Sequence, residues 1–421
     1  MSEKLAEVFE QYDVEILGTR KGRGATILST GSGVLILEPF RGNITRLEQE
    51  YVLKQIFEKQ GFVQMDQIIP NRDGCLFTCD RYRQPFVMKK YFEGNECDMH
   101  CPMDMVRSIK LLTRFHQYGK KAVKEFDRAW KEHQQKKEAD RIREIKQALE
   151  NGEEIERIAR IYDIRENLLL EMIENADSAA NAESTPKEEL AKNLSEADKE
   201  IANVFVRHNR ELKKIYRYIS KVKQRNAFEN LFLQVFKEYY EQGQYCVEQL
   251  TQSEAHAEDK GINGTSGADF LQIVGKRHFG ICHGAFNQHN IILEECAEDE
   301  SGTDLGGAIV HFERFNKGSQ LNDLYQFTRK AMEKNHFDFE LLRKLLDAYS
   351  EEIPLLPEDY HYIYILFSYP EKFWKIANGY YNSNKAFLSP KYMEKLQNVI
   401  QQEEEKREML GKFGALQTSN N

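Results

Sequence analysis

Two short stretches of the sequence carry side chains that could bind a cation or accept a proton. The stretch CHGAFNQHNIIL contains His283 and Asn290, and the stretch VHFERF contains His311 and Glu313. Amide and carboxylate oxygens are ligands that magnesium prefers, and an imidazole can act as a general base. These residue types could therefore assist a phosphoryl transfer, a reaction to which a protein contributes mainly position and charge.

Each of these residues also has a purely structural explanation. Asn290 can satisfy the backbone of its own loop, His283 can hydrogen-bond backbone carbonyls, and Glu313 can lie at the exposed end of a strand. Asp323, in the stretch NDLYQF, is expected to receive donors from the CHGAFNQHNIIL loop or to cap the helix that follows it. Where these side chains lie depends on the elements that carry them.

The first 94 residues are predicted to form a small antiparallel sheet with one helix. VEILGT, ATILST and GVLILEPF are β-rich runs separated by glycine-containing turns. The segment TRLEQEYVLKQIFEKQG, near 45–60, places Leu47, Tyr51, Val52 and Ile56 at helical spacing. Two more strands are predicted in GCLFTCDRY and QPFVMKKYF, and the chain becomes mostly helical after them.

Several motifs together resemble a known group of proteins. They are LEPFRG at 37–42, CHGAFNQHNIIL at 282–293, VHFERF at 310–315 and NDLYQFTRKAMEKN at 322–335, together with VRHNRELKKIYRYISKVKQRNAFE and SYPEKFWKIANGYYNSNKAF. The chain resembles the aminoglycoside phosphotransferase and choline kinase group, and within it more closely the spore coat protein CotS family. The resemblance implies an α+β, bilobal protein kinase-like fold with a small antiparallel-sheet N-lobe and a mostly helical C-lobe.

This resemblance suggests a division of the chain. We expect the N-lobe at 1–94, the start of the helical C-lobe at 95–123 and a charged helical, partly flexible insertion at 124–200. The rest of the C-lobe, with the remnant of the catalytic loop, is expected at 201–400 and a polar tail at 401–421. The insertion is assigned because it is rich in charged and small residues and can bury little apolar surface.

The formal net charge of −9 disfavours nonspecific attraction to nucleic acid or to an anionic membrane. No run of about 18 apolar residues occurs, and the acidic N-terminus lacks the apolar core of an export signal. The 7 cysteines, an odd number, favour reduced thiols over a disulfide framework.

Two short cysteine clusters raise the question of a zinc site. One consists of Cys75 and Cys79, the other of Cys97, His100 and Cys101. Their spacing is compatible with zinc ligands. Because each cluster falls in or beside a predicted strand or turn, we expect ordinary thiols and no bound metal there.

Two other patterns suggest binding. EEIERIARIYDIRENLLLEMI has the rhythm of a helix-turn-helix, with Ala159 in the first helix and Ile164 at the turn. Its second helix has three Glu and one Arg, which favours a hairpin of amphipathic helices over DNA binding. Arg20, Lys21 and Arg23 in the first hairpin could attract an anion, although a solvated turn explains them as well.

The resemblance also implies which positions should act in catalysis. In such proteins a third-strand Lys holds the nucleotide phosphates, a loop Asp accepts a proton, and an Asn and a second Asp hold magnesium. This chain keeps His283 and Asn290, but Glu38 stands at the Lys position, Ala285 at the base position and His311 at the second metal position. A carboxylate at the Lys position would repel phosphates, and an imidazole is a poor magnesium ligand.

These replacements predict a catalytically dead pseudokinase, with Asn290, Glu313, His283 and Asp323 as remnants of the nucleotide and metal site. The resemblance implies a structural or protein-binding component of the bacterial spore coat, synthesised in the cytoplasm. Its expected partners are other spore coat proteins, with no cofactor, nucleic acid or membrane.

Two alternatives stay open at the level of sequence. One is a small-molecule phosphotransferase with a rearranged active site, which would use ATP with Mg²⁺, Glu313 and Asn290 as metal ligands, and His311 or His283 as base. The other is a protein that binds a nucleotide or a metabolite without turnover.

Overall fold

The computed structural model describes residues 3–151, 186–251, 267–294, 306–382 and 390–419. The segment with the helix-turn-helix rhythm and most of the second polar loop, SEAHAEDKGINGTSGADF, lie outside the described residues. Among the described helices, none combines the length and the apolar character needed to cross a bilayer.

The N-lobe is an antiparallel sheet with one long helix. Its elements are α1 (Glu3–Phe9), β1 (Ile16–Lys21), β2 (Thr26–Thr30), β3 (Gly33–Pro39), α2 (Ile44–Lys59), β4 (Ile68–Ile69), β5 (Thr78–Cys79) and β6 (Pro85–Lys90). The strand order is β1-β2-β3-β6-β4, and β5 also pairs with β6. The predicted sheet and its helix are confirmed.

Two details of the N-lobe differ from the prediction. Helix α1 is an additional element, and it lies against the sheet through Val8 and Phe9. The strand predicted in GCLFTCDRY shrinks to two residues. The reason is local, because Asn71 and Asp80 use their side-chain oxygens to accept backbone N–H groups of the residues that follow them, which favours turns over a strand.

The two faces of the sheet have different environments. Leu35 and Leu37 of β3 lie with Met88 of β6 in an apolar cluster that includes α1. Side chains alternate along a strand, so the intervening residues of β3 and β6 face the other way, toward α2 and the C-lobe. Glu38 and Lys89 are two of these residues.

The C-lobe is mostly helical, with short strands at its junction with the N-lobe. Its elements are β7 (Asn95–Glu96), α3 (Pro102–Glu150), α4 (Pro186–Lys221), α5 (Ala227–Thr251), α6 (Gly267–His278), β8 (Phe279–Cys282), β9 (Ile291–Leu293), β10 (Gly307–Ile309), β11 (Asn316–Ser319), α7 (Leu321–Lys334), α8 (Phe339–Ser350), α9 (Pro357–Ser368), α10 (Glu371–Asn382), α11 (Pro390–Gln401) and α12 (Glu403–Ser419). Strands β7, β9 and β10 form one antiparallel sheet, and β8 pairs with β11. Two single turns of 3₁₀ helix lie at Gln288–Asn290 and Phe312–Arg314.

A continuous apolar core joins the lobes. Phe57 of α2, Phe62, Phe115 of α3 and Phe312 lie in one cluster of buried rings, with Phe57 and Phe115 at 5.4 Å between ring centroids. An isolated parallel bridge from Met65 to Ile309 adds a backbone link. The lobes therefore share one core, and side chains on either side of the cleft have fixed neighbours.

Helix α3 runs unbroken from Pro102 to Glu150, across the predicted boundary at 124. Phe126 and Ile145, on the insertion side of that boundary, are buried, and Phe126 lies in the main core. The beginning of the charged segment thus packs against the C-lobe.

The C-terminal prediction needs correction. Six helices, α7 to α12, follow the motif region in the described residues, where three or four were expected. The predicted polar tail is wrong for residues 403–419, which form α12 and bury Met409, Leu410 and Phe413. The few apolar residues among many charged ones give a weak signal, although 409, 410 and 413 share one helical face.

Gly119 marks a close approach between α3 and β8. A Cβ at this position would lie 2.8 Å from the Ile281 carbonyl oxygen and 3.1 Å from Gln320 Nε2. We expect Gly119→Ala to lower the free energy of unfolding by about 1–3 kcal/mol in urea titration, because the helix must shift from the strand. In the matched control, Gly411→Ala in α12, the new methyl meets nothing within 4 Å, so this change should be neutral or stabilise by about 0.5–1 kcal/mol. Equal effects of the two substitutions would contradict the close approach.

Candidate functional site

The candidate site lies where the N-lobe sheet faces the C-lobe. Glu38 extends from β3, and His311 and Glu313 follow β10 on the opposite side of the cleft. His311 Nδ1 is 3.7 Å from a carboxylate oxygen of Glu38 and 3.7 Å from one of Glu313. The structure thus brings together three of the residues that the sequence singled out.

A buried lysine that the sequence analysis did not identify lies at the centre of this site. Lys89 of β6 is 3% exposed, and its Nζ lies 2.8 Å from Glu313 and 3.6 Å from Glu38. The same ammonium group is 3.5 Å from Glu50 and 3.4 Å from Asp66. Four carboxylates therefore surround one cation.

A second buried lysine completes the network. Lys54 of α2 is 2.5 Å from Glu50 and 2.8 Å from Asp66, and all three side chains are at most 2% exposed. We call Glu38, Glu50, Lys54, Asp66, Lys89 and Glu313 the ion cluster.

Strand pairing explains how Lys89 reaches this place. In the β3–β6 register, Ile36 is opposite Lys89 and Glu38 is opposite Val87. Glu38 and Lys89 are thus diagonal neighbours on one face of the sheet, within reach of each other's long side chains. The positive charge that the resemblance implies on β3 is supplied instead from the adjacent strand.

The ion cluster favours the charged forms of Lys89 and Asp66. Burial alone would lower the pKa of Lys89, but Glu50, Asp66, Glu313 and Glu38 hold it well above its usual value. Burial would raise the pKa of Asp66, but Lys54 and Lys89 lower it below the ordinary value.

His311 has an unusual backbone conformation at the position implied for a metal-binding Asp. Its φ of 66° and ψ of 67° lie in the left-handed region, and its N–H donates to Asp66 Oδ2 at 3.1 Å. Burial would lower the pKa of its imidazole, but the nearby carboxylates of Glu313 and Glu38 raise it above the usual value. The ion cluster therefore favours a protonated His311.

The loop at 283–290 is held by structural contacts. Asp323, at the start of α7, accepts the N–H of His283 at 2.6 Å and that of Gly284 at 2.9 Å. His283 Nε2 lies 3.0 Å from the carbonyl oxygen of Val310. Gly284 has φ +72°, and a Cβ there would lie 2.1 Å from the Arg314 carbonyl oxygen, so the loop requires glycine.

Asn290 is also engaged with the loop backbone. Its Nδ2 donates to the carbonyl oxygen of Ala285 at 2.9 Å, and Asn287 Nδ2 donates to the same oxygen at 2.7 Å. The Ala285 side chain is a methyl group and cannot accept a proton. The loop therefore keeps its shape without a catalytic base.

The first hairpin contacts this loop across the cleft. Arg23 Nη1 lies 3.0 Å from His289 Nδ1 and 3.7 Å from Glu96, and His289 also contacts Glu96. Arg20 and Lys21 are exposed on the same hairpin. Arg23 thus bridges the lobes, which the prediction of a solvated turn did not include.

One group in the described part of the chain has the geometry to hold a metal ion. Ligand atoms of Glu38, His311 and Glu313 all lie within 4.8 Å of one another. This nitrogen and oxygen donor set suits a transition metal better than magnesium, which prefers oxygen ligands. The cysteines are outside this group, with Cys75 and Cys79 exposed and Cys97 buried.

A magnesium nucleotide does not fit the residues present. The ion cluster has four carboxylates against two lysines, so its net charge is −2, or −1 with His311 protonated. Anionic phosphates would meet this excess of carboxylates. The charge of the ion cluster therefore does not support a catalytic step through a magnesium nucleotide.

The chain was compared with known families, curated proteins and solved structures. No protein-family model matches the sequence, and no curated protein is detectably similar to it. An aminoglycoside phosphotransferase from Alicyclobacillus acidocaldarius superposes with a TM-score of 0.65 at 11% identity, over 97% of this chain and 95% of that one. A spectinomycin phosphotransferase in complex with ADP and spectinomycin gives 0.49 at 10% identity, over 94% and 93% of the two chains. The superposition on the first of these structures, with the antiparallel N-lobe sheet and the mostly helical C-lobe, shows an α+β, bilobal kinase-like fold.

The sequence analysis missed Lys54, Lys89, Glu50 and Asp66. A signal existed for Lys89, because VMKKYF places a lysine at an inward-facing position of a predicted strand. Glu50 and Lys54 also form an i,i+4 pair in the predicted helix. Their partners, however, are far apart in the chain, and only the folded structure shows the ion cluster.

Removing the central cation should destabilise the protein strongly. We expect Lys89→Met to lower the free energy of unfolding by about 3–5 kcal/mol, because it leaves the four carboxylates with Lys54 as the one remaining lysine of the ion cluster. Equilibrium urea unfolding measures this. Lys90→Met is the matched control, since Lys90 is the exposed neighbour and should change stability by less than about 0.5 kcal/mol. A loss below about 1 kcal/mol for Lys89→Met would contradict the role given to the ion cluster.

The ion cluster should also contribute to the loss of folding stability at low pH. The folded pKa of Asp66 is lowered from 3.8, so its contribution is present above that pH and is lost as pH falls through the folded value. We expect Asp66→Asn to be less stable than wild type at neutral pH and to lose less stability on acidification. Urea unfolding at a series of pH values from neutral to about 3 tests this linkage. If the free energy of unfolding falls equally with pH in the two proteins, Asp66 does not cause the acid sensitivity.

Proposed function

We propose that this protein is a non-catalytic member of the kinase-like fold that acts by binding other proteins. The observation that carries the proposal is the environment of Lys89, whose ammonium group has four carboxylates within 3.6 Å. Because the Lys89 ammonium group is already paired with these carboxylates, it is not available to nucleotide phosphates. The electrostatic stabilisation on which phosphoryl transfer depends is therefore missing.

The loop at 283–290 supports the same proposal. A general base contributes about 10²–10⁴ to a rate, and Ala285 supplies none. Asn290 and Asp323 stabilise the loop backbone through the contacts described above, so the loop can persist for structural reasons. Restoring one residue would leave the charge of the cleft unfavourable.

We further propose that the protein is a component of the bacterial spore coat, synthesised in the cytoplasm and assembled with other coat proteins. The support is the similarity of several sequence motifs to the CotS family, from LEPFRG in the N-lobe to SYPEKFWKIANGYYNSNKAF in the C-lobe. The kinase-like fold is compatible with this role, because function is carried by sites and surfaces rather than by the fold.

A second candidate is an ATP-dependent small-molecule kinase with a rearranged active site. It is favoured by the contact between Lys89 and Glu50 at 3.5 Å, because protein kinases need a lysine–glutamate ion pair between sheet and helix. It is also favoured by the metal-compatible arrangement of Glu38, His311 and Glu313. In this case a metal ion would have to neutralise the carboxylates before phosphates could enter.

The two candidates predict different responses to ATP. For the non-catalytic protein, we expect no acceptor-dependent ATP turnover by wild type or by Ala285→Asp, tested with alcohols and aminoglycosides. A kinase that had only lost its base should regain about 10²–10⁴ in rate with the same substitution. ATP with magnesium should also leave the melting temperature unchanged, whereas a ligand at one hundred times its dissociation constant would stabilise by about 2.7 kcal/mol.

The opposite outcome is equally clear. Turnover by the wild-type protein that is lost in both His311→Ala and Glu313→Ala would overturn the proposal and establish the rearranged kinase. A variant of an exposed carboxylate elsewhere, such as Glu241→Ala on α5, controls for nonspecific effects of removing a charge.

A further inference from the structure

The outer face of α4 is strongly basic. Between 207 and 225 the chain has eight Lys and Arg residues and one acidic residue, Glu211, a net of +7. All eight basic side chains belong to exposed residues, namely Arg207, Arg210, Lys213, Lys214, Arg217, Lys221, Lys223 and Arg225. The chain as a whole has a net charge of −9, so the remainder carries −16.

Five of these residues form a single line along the helix. Arg207, Arg210, Lys214, Arg217 and Lys221 follow one another at spacings of three and four residues, which places them on one face of the helix. At about 1.5 Å per residue the line is about 21 Å long. We call these five residues the basic stripe.

The basic stripe faces solvent because the opposite face of α4 is buried. Leu212, Ile215 and Ile219 lie in an apolar cluster with residues of α5 and α10. Glu211, the acidic residue nearest in sequence, accepts a hydrogen bond from Trp374 Nε1 at 2.8 Å. Among the described residues, no carboxylate lies within ion-pair distance of the five stripe side chains.

A line of like charges on one helix face destabilises the helix, because residues three and four apart repel each other. The repulsion is relieved when carboxylates of a partner align with the line. Two tyrosines flank it, Tyr218 with 41% and Tyr216 with 37% exposure. Arginine and tyrosine are the residue types enriched at the centres of protein interfaces.

We propose that the basic stripe binds an acidic helical segment of another protein. A partner helix with carboxylates at the same three- and four-residue spacing matches the stripe in length and in charge. A nucleic acid strand is also anionic, and the test below distinguishes it from an acidic helix. The inference rests on the proposed protein-binding function and names the chemistry of the partner.

Binding of a synthetic helix tests the inference on the full-length protein. The probe is a fluorescein-labelled peptide with three repeats of Glu-Ala-Leu-Glu-Ala-Gln-Ala, followed by anisotropy at about 50 mM salt, where charge pairs are weakly screened. We expect saturable binding that weakens as salt rises. The triple substitution Arg210→Glu, Lys214→Glu and Arg217→Glu should weaken it at least about tenfold.

A matched variant controls for the change in total charge. Lys124→Glu, Arg128→Glu and Lys131→Glu alter three exposed cations of α3 and change the net charge by the same amount. We expect its affinity to stay within about twofold of wild type, because these cations lie outside the basic stripe. Far-UV circular dichroism and the melting temperature establish that both variants are folded.

Three results would overturn the inference. Equal binding of a scrambled peptide of the same composition would show that the spacing of the carboxylates along the helix does not contribute to binding. Tighter binding of a single-stranded oligonucleotide of equal charge, lost in the stripe variant, would assign the surface to nucleic acid. If the wild-type protein is a dimer and the stripe variant is a monomer, the basic stripe binds a second copy of the chain. None of these results depends on ATP turnover, so failure here is distinguishable from failure of the non-catalytic assignment.

Discussion

The charge on Lys89 determines much of the structure around the cleft. A buried ammonium group is stable only with carboxylates in contact, and here they come from β3, α2, the segment before β4 and the turn after β10. Two of these carboxylates, Glu50 and Asp66, are also paired with Lys54. Sheet, helix and C-lobe are thereby held in one arrangement. Glu38 is then a partner of a neighbouring lysine, which gives the unusual carboxylate on β3 a structural reason.

The conformation of the loop at 283–290 is maintained by contacts that do not involve the Ala285 side chain. Its shape depends on Asp323, on the contact of His283 with Val310 and on a glycine with positive φ. None of these features requires a base at Ala285. The same reasoning applies to the whole fold, whose shared core consists of apolar side chains from both lobes. Likeness of fold is therefore a poor guide to catalysis, and the charges in the cleft are a better one.

The sequence predicted local features well and long-range contacts poorly. The strands, the helix at 45–60 and the loop motifs depend on neighbours in the chain, and the structure has them in the expected order. Lys89 was missed because its partners come from four separate segments. The bridge of Arg23 to His289 joins residues 266 positions apart and has no local signal. Helix α12 was predicted as a polar tail because its apolar residues are few. Its contacts with α8 and α9 exist only in the folded protein.

The distribution of charge connects the cleft with the outer surface. A net charge of −9 suggests a protein that avoids polyanions, yet α4 alone carries a long positive face. Screening limits the reach of exposed charges to about 8–10 Å at physiological salt, so a ligand responds to the charges near it and hardly to the total. A phosphate group entering the cleft meets carboxylates, whereas a carboxylate approaching α4 meets lysine and arginine. The surface that favours anions is thus separate from the cleft, and binding at α4 needs no nucleotide in the cleft.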